Sequence, residues 1–294
     1  MTPLKAWFFC ARPKTLTATF APLILATALV DYHYYPVARH ILLMAFLTTL
    51  FLQIASNFVN DVADYKKGAD REDRLGPPRA VASGWLSPQS VWRAAILCLF
   101  GALLCGLPLM WIGGKPIIIL GLLSLLCAYT YTAGPYPLAY HGLGELGVLI
   151  FFGFTAVGGL TFLLTQVYPL PGVFRSSFQM GLLATTMISL NNLRDIESDR
   201  MSGKKTLAAR YGQKFMKSFL AFCFLAPYFM NLFWLKDSLL VSFAPWICLP
   251  FALFILKKIY TTAPSQVYNQ YLALASLHLL AFTLTLSGAL FYVD

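Results

Sequence analysis

The chain has 294 residues, 58% of them hydrophobic and 12% charged, with a mean hydropathy of +0.67. A soluble domain carries about 25% charged residues, so the composition excludes a compact monomer dissolved in water and leaves no room for a separate soluble domain. The formal charge of +10 is distributed as membrane loops distribute it, so the expected partner is the lipid bilayer and not nucleic acid.

Stretches long enough to cross about 30 Å of hydrocarbon recur about nine times. They fall at residues 15–34, 41–62, 90–111, 116–133, 146–165, 175–193, 216–235, 239–256 and 270–291. The expected fold is an all-α membrane protein, a single domain over 1–294. Lys5, Arg12 and Lys14 precede the first stretch, a pattern shared with secretory signals; with eight further spans following, an uncleaved first helix is expected. If the N-terminus is cytoplasmic, every Lys and Arg falls on that side except Arg39, Lys115, Arg175 and Lys236. This asymmetry supports an odd number of spans in the cell (inner) membrane, with the C-terminus outside.

The second stretch ends in NFVNDVADYKKGADRED, which places Asp61, Asp64, Asp70, Glu72 and Asp73 at a helix end. The sixth ends in NNLRDIESD, with Asp195, Glu197 and Asp199. Both stretches run from outside to inside, so both clusters reach one face. In each an Asn precedes an Asp by four residues, Asn57 before Asp61 and Asn191 before Asp195, which on a helix is one turn along a shared face. Asp64 and Asp199 extend the two stripes. Neither Asp61 nor Asp195 is expected to pack in an apolar core.

Acids at a helix C-terminus oppose the helix dipole by about 0.3–1 kcal/mol, and acids at a membrane border are candidates for function. Oxygen ligands of this kind suit Mg²⁺, which binds through one or two carboxylates plus substrate phosphates. Lys67 and Arg79 follow the first cluster and Lys205 and Arg210 the second, the residue types that hold a diphosphate. The alternative is a solvated loop whose opposite charges pair in water at about 0–1 kcal/mol each. Between the clusters, residues 129–145 bring Tyr129, Tyr131, Tyr136, Tyr140 and Glu145 to the same face. Tyr131 suits stabilisation of a cation and Glu145 a base, although tyrosines also anchor helices at membrane interfaces. Cys10, Cys98, Cys105, Cys127, Cys223 and Cys248 form no C-x-x-C pair and read as small core residues.

The strings NDVADYKKGAD, RLGPPRAVASG and NNLRDIESDRMSGKKTLAARYG resemble the UbiA superfamily of intramembrane aromatic prenyltransferases, and within it the menaquinone branch. ARPKTLTATFAPLILATAL and YTAGPYPLAYHGLGELGVLIFFG support the likeness, which covers residues 11 to about 212. The resemblance implies a UbiA-like bundle of about nine helices around a central cavity open to the cytoplasmic face. It implies Mg²⁺-dependent transfer of a polyprenyl group from polyprenyl diphosphate to 1,4-dihydroxy-2-naphthoate with loss of CO₂. By position, Asn57, Asp61, Asp64, Asn191, Asp195 and Asp199 match the family's metal-binding motifs. One departure is Gly68, where the broader superfamily often has an Asp; the next acid is Asp70, assigned here to substrate binding. Other acceptors such as 4-hydroxybenzoate, and an ion-coupled transporter, are the competing readings.

Overall fold

The computed structural model describes residues 1–70, 74–168 and 170–293; Arg71, Glu72 and Asp73 of the first acidic cluster lie outside the described residues, as does the side chain of Lys14. Its elements in chain order are α1 (Pro3–Ala11), α2 (Thr17–Tyr32), α3 (Arg39–Lys66), α4 (Pro88–Thr130), α5 (Gly144–Val148) and a π-helical stretch (Leu149–Gly158). There follow α6 (Gly159–Thr165), α7 (Val173–Arg194), α8 (Ile196–Met201), α9 (Leu207–Asn231), α10 (Leu239–Phe243), α11 (Leu249–Thr261) and α12 (Tyr268–Tyr292). The described residues contain no strand.

Six helical runs are long and apolar enough to cross a membrane: Arg39–Lys66, Pro88–Thr130, Gly144–Thr165, Leu207–Lys236, Leu239–Thr261 and Tyr268–Tyr292. The difference from the nine expected stretches has physical causes. α2 is apolar but has only 16 residues. α7 carries Gln179, Thr185, Thr186, Ser189 and Asn192, all buried among other helices, so it needs no lipid-compatible surface. α4 contains two of the stretches. It starts where Ser87 accepts a hydrogen bond from the Ser90 amide at 3.1 Å, with Pro88 in the first turn, and is interrupted at Gly114, whose φ of 60° and ψ of −151° favour glycine. A β-carbon at Gly121 would stand 2.3 Å from the Met110 side chain, although a straight helix would hold those residues about 16 Å apart. The chain therefore turns back on itself at Gly114.

The main core joins α2, α7, α9 and α12 through residues such as Leu25, Leu29, Met180, Leu183, Phe224 and Phe282. The π-helical stretch packs backbone to backbone on α7: a β-carbon at Gly153 would lie 2.3 Å from the Ser177 carbonyl, and one at Gly181 2.6 Å from that of Leu149. Small residues at such crossings are what let helices approach in a membrane. A second, smaller core gathers Cys10, Phe58, Val59, Val62, Ala80, Val81 and Val91 around the end of α3.

Candidate active site

The ends of α3 and α7, the starts of α9 and α12, and the segments 74–87 and 131–143 meet at one end of the bundle, as the hydrogen bonds between them show. From there a cavity of about 320 Å³ runs inward. Its polar mouth includes Arg12, Thr15, Asn57, Asn60, Tyr131 and Asn191; its deeper wall includes Leu109, Met110, Ile117, Phe151, Leu160 and Leu163. The asparagines that open the two motifs thus line one cavity.

α3 stays helical through Lys66, so Asn57, Asp61 and Asp64 keep the expected turn spacing, and all three are buried. Their partners differ. The Asn57 amide donates to the Ala11 carbonyl at 2.9 Å. Asp61 accepts from the backbone amides of Val81 at 2.9 Å and Ala80 at 3.3 Å and from the Cys10 thiol at 3.6 Å. The expectation that Asp61 avoids an apolar core is therefore corrected: it is 1% exposed within the smaller core and anchors the turn after Arg79. Among the described residues the other acids of this cluster are Asp64 and Asp70, and Asp64 is the one linked toward the second motif, through Tyr140.

Asp64 accepts the Tyr140 hydroxyl at 2.8 Å and stands 3.6 Å from Arg79 Nη2. Arg79 Nε lies 3.4 Å from Asp70, which also pairs with Arg74. Lys67 donates to the Thr132 carbonyl at 2.9 Å and sits 4.0 Å over the Tyr140 ring.

In the second motif α7 ends at Arg194 and α8 begins at Ile196, yet the Asp195 amide still donates to Asn191 O and the Asp199 amide to Asp195 O. The one-turn spacing survives the break. Asp195 receives a two-pronged contact from Arg194, at 2.8 and 2.6 Å. Asp199 accepts from the Thr206 hydroxyl at 3.3 Å and lies 4.0 Å from Lys204, whose ammonium is 5.2 Å over the Tyr140 ring. Tyr140 therefore stands between the clusters, bonded to Asp64 and flanked by the lysine that pairs with Asp199.

Burial pushes the Asp70 carboxyl up to about 6 against the pull of Arg74, and Asp199 up to about 6 against Lys204. Burial lowers the Lys204 amine, but Asp64 and Asp199 more than offset it, and the net shift is upward. The donor set fits a hard divalent cation. Asp64, Asp70 and Asp199 supply carboxylate oxygens, and the buried Oδ2 of Asp70 has no hydrogen-bond partner. Among the described residues no three acid, His or Cys side chains are grouped so as to hold a metal alone, so the remaining ligands of such an ion would be substrate oxygens.

Other expected site residues lie further off. Lys205 is exposed and bonds Tyr140 O through its own backbone amide; Arg210, also exposed, uses its guanidinium on the carbonyls of His141 and Lys205, both at 2.9 Å. The structure does not bring either side chain onto the acids. Glu145 is 3% exposed, accepts from the Asn192 amide at 2.8 Å, and has its other oxygen unpartnered. Tyr131 lines the cavity itself. Missed at the sequence level were Arg12, whose guanidinium donates to Asn60 at 2.9 Å, Arg74 and Arg194; of the basic pair Lys204 and Lys205 after the second cluster, the expected site residue is Lys205, whereas Lys204 is the one near Asp199. No local signal separates Lys204 from its neighbour Lys205.

Residues 16–280 match the UbiA prenyltransferase family. The chain belongs to that family. It is similar to the 1,4-dihydroxy-2-naphthoate octaprenyltransferase of Escherichia coli (strain K12), 40% identical over 217 residues that cover 71% of this chain and 69% of the relative. The enzyme of the same name from Bacillus subtilis (strain 168) is 31% identical over 246 residues, 82% and 76% of the two chains. In fold it is similar to a UbiA homolog from Aeropyrum pernix K1, with a TM-score of 0.70 at 15% identity over 91% of this chain and 96% of that one. A UbiA homolog from Archaeoglobus fulgidus bound to DMAPP and Mg²⁺ gives a TM-score of 0.61 at 15% identity over 93% and 99%. As a UbiA-family membrane protein with a UbiA-like all-helical bundle, the chain is a prenyltransferase, which removes the ion-coupled transporter.

Proposed function

We propose that this enzyme transfers a polyprenyl group from polyprenyl diphosphate to 1,4-dihydroxy-2-naphthoate, releasing diphosphate and CO₂ in quinone biosynthesis. The observation that carries the reading is that Asn57 and Asn191 line one cavity beneath acids that converge on Tyr140. The naphthoate acceptor is favoured over 4-hydroxybenzoate by the names of the relatives from E. coli and B. subtilis.

In this reading the apolar depth of the cavity takes the prenyl chain, and the diphosphate lies at the mouth among Arg12, Lys67, Arg79 and Lys204. Asp64, Asp70, Asp195 and Asp199, with Asn57 and Asn191, would hold Mg²⁺, while Asp61 keeps the Arg79 turn in place. When bound, Mg²⁺ supplies charge neutralisation for the departing diphosphate. The C–O bond breaks, diphosphate leaves with the bonding pair, and Tyr131 faces the allylic cation across the cavity wall. The ring carbon bearing the carboxylate attacks, and loss of CO₂ returns its bonding pair to the ring, so no ring proton needs a base at that carbon. Glu145, held by Asn192, polarises a hydroxyl of the acceptor. The charge asymmetry of the loops supports nine crossings, with this end and the N-terminus cytoplasmic in the inner membrane.

The test is turnover by purified protein in lipid nanodiscs, offered both acceptors with prenyl diphosphates and Mg²⁺. Prenylated naphthoquinol with stoichiometric CO₂ supports the assignment; prenylated 4-hydroxybenzoate alone overturns the acceptor, and absence of any product overturns the reaction.

A further inference from the structure

Asn269, in the first turn of α12, uses both ends of its amide. Its oxygen accepts from Arg194 Nη1 at 2.5 Å and its nitrogen donates to the Leu75 carbonyl at 3.0 Å, contacts that span 75 and 194 residues of sequence. Arg194 is 2% exposed and spends its other edge on Asp195. A buried guanidinium is tolerated only when its N–H groups are satisfied, and a neutral amide does this without disturbing the charge balance of the Arg194–Asp195 pair. The backbone passes so close here that a β-carbon at Gly76 would stand 2.7 Å from Arg194 Nη2 and 2.8 Å from Arg74 Nε. The same 74–79 segment supplies Arg74 and Arg79 to Asp64 and Asp70.

We infer that Asn269 is a positioning residue: by fastening the Leu75–Gly76 backbone to Arg194 it sets where Arg74 and Arg79 stand for the incoming diphosphate. The kinetic part rests on the proposed prenyl transfer, whereas the fastening rests on the contacts alone. Three distant parts of the chain, the segment after the first acidic motif, the second motif and the last helix, are thereby made a single unit.

The experiment compares the full-length protein with Asn269→Ala and Asn269→Asp. The Asp variant keeps an acceptor for Arg194 but loses the donor to Leu75, and it carries the test if the Ala variant does not fold. Both are expected to raise KM for the prenyl diphosphate about five- to ten-fold, the worth of about one hydrogen bond. kcat and the acceptor KM should stay within about two-fold, and amide exchange across residues 74–86 should accelerate. An unchanged diphosphate KM, with only the melting temperature lowered, overturns the positioning role; unchanged exchange overturns the fastening. If the unaltered protein transfers no prenyl group, the assigned reaction fails and the exchange measurement alone decides.

Discussion

The Tyr140 hydroxyl donates to Asp64 Oδ1 at 2.8 Å while the Tyr140 ring lies under the ammonium of Lys67 at 4.0 Å. One side chain thus steadies an acid of the first motif and two cations, Lys204 being the other. Tyr140→Phe keeps the ring and removes the hydroxyl, so kcat/KM for prenyl diphosphate should fall about five- to ten-fold. Tyr140→Ala loses the ring as well and should fall further. Steady-state kinetics on the two variants separates the hydroxyl from the ring.

Asp61→Asn should damage the fold before it damages the chemistry. The carboxylate accepts two backbone amides; an Asn oxygen can serve one of them while its NH₂ opposes the other, at a cost of about 1–3 kcal/mol. Lower yield and a lower melting temperature are expected. Asp195→Asn strips the buried Arg194 of its counter-ion, so it should lose turnover and lower the melting temperature together. Specific activity of the folded fraction, beside thermal-shift measurements, separates the two variants: retained for Asp61→Asn, lost for Asp195→Asn.

Asp70 and Asp199 titrate near 6 in the fold, against 3.8 for a free side chain. The metal-free native state therefore binds more protons than the unfolded chain between those values. Its stability contribution is full below about pH 4 and is lost as pH rises through about 6. A cation that holds the ionised acids opposes this loss. The rise in melting temperature on adding Mg²⁺ with a prenyl diphosphate should accordingly be larger at pH 7.5 than at pH 5.5, as differential scanning fluorimetry would record.

Gly106 lines the cavity on its apolar side, and a β-carbon there would meet only Thr48, at 3.6 Å. Gly106→Leu fills that space without forcing the backbone. Long prenyl diphosphates should lose turnover by at least about ten-fold while geranyl diphosphate is spared, since a filled apolar pocket discriminates by about 1–3 kcal/mol per excluded group. Competition between donors of two lengths reads this directly.

The helical membrane character and both acidic motifs were legible because they follow from periodicity and from where charges interrupt apolar runs. The Asn57-to-Asp64 spacing held because α3 remains one helix. Less legible was which acid does what. Asp61 and Asp64 are alike in sequence, and only the return of the chain at Ala80 and Val81 assigns the first to the backbone.

Partners far apart along the chain left no local trace. Lys204 and Lys205 adjoin, yet the turn at Gly203, with φ of 73°, sends one toward Asp199 and leaves the other exposed. Asn269 sits among polar residues that open an ordinary apolar helix. Its role exists only once α12 is placed beside Arg194.

The arginine beside Asp195 is its immediate predecessor in the chain, so that carboxylate carries its own counter-ion wherever the helix end goes. With Asp70 on Arg74 and Asp199 near Lys204, the resting site is already electrically quenched. In the proposed reaction, arrival of a metal diphosphate would be an exchange of couples, acid to metal and base to phosphate, with little new charge stripped of water. Affinity in such a swap is a difference between two sets of ion pairs, which lets the product leave almost as readily as the substrate enters.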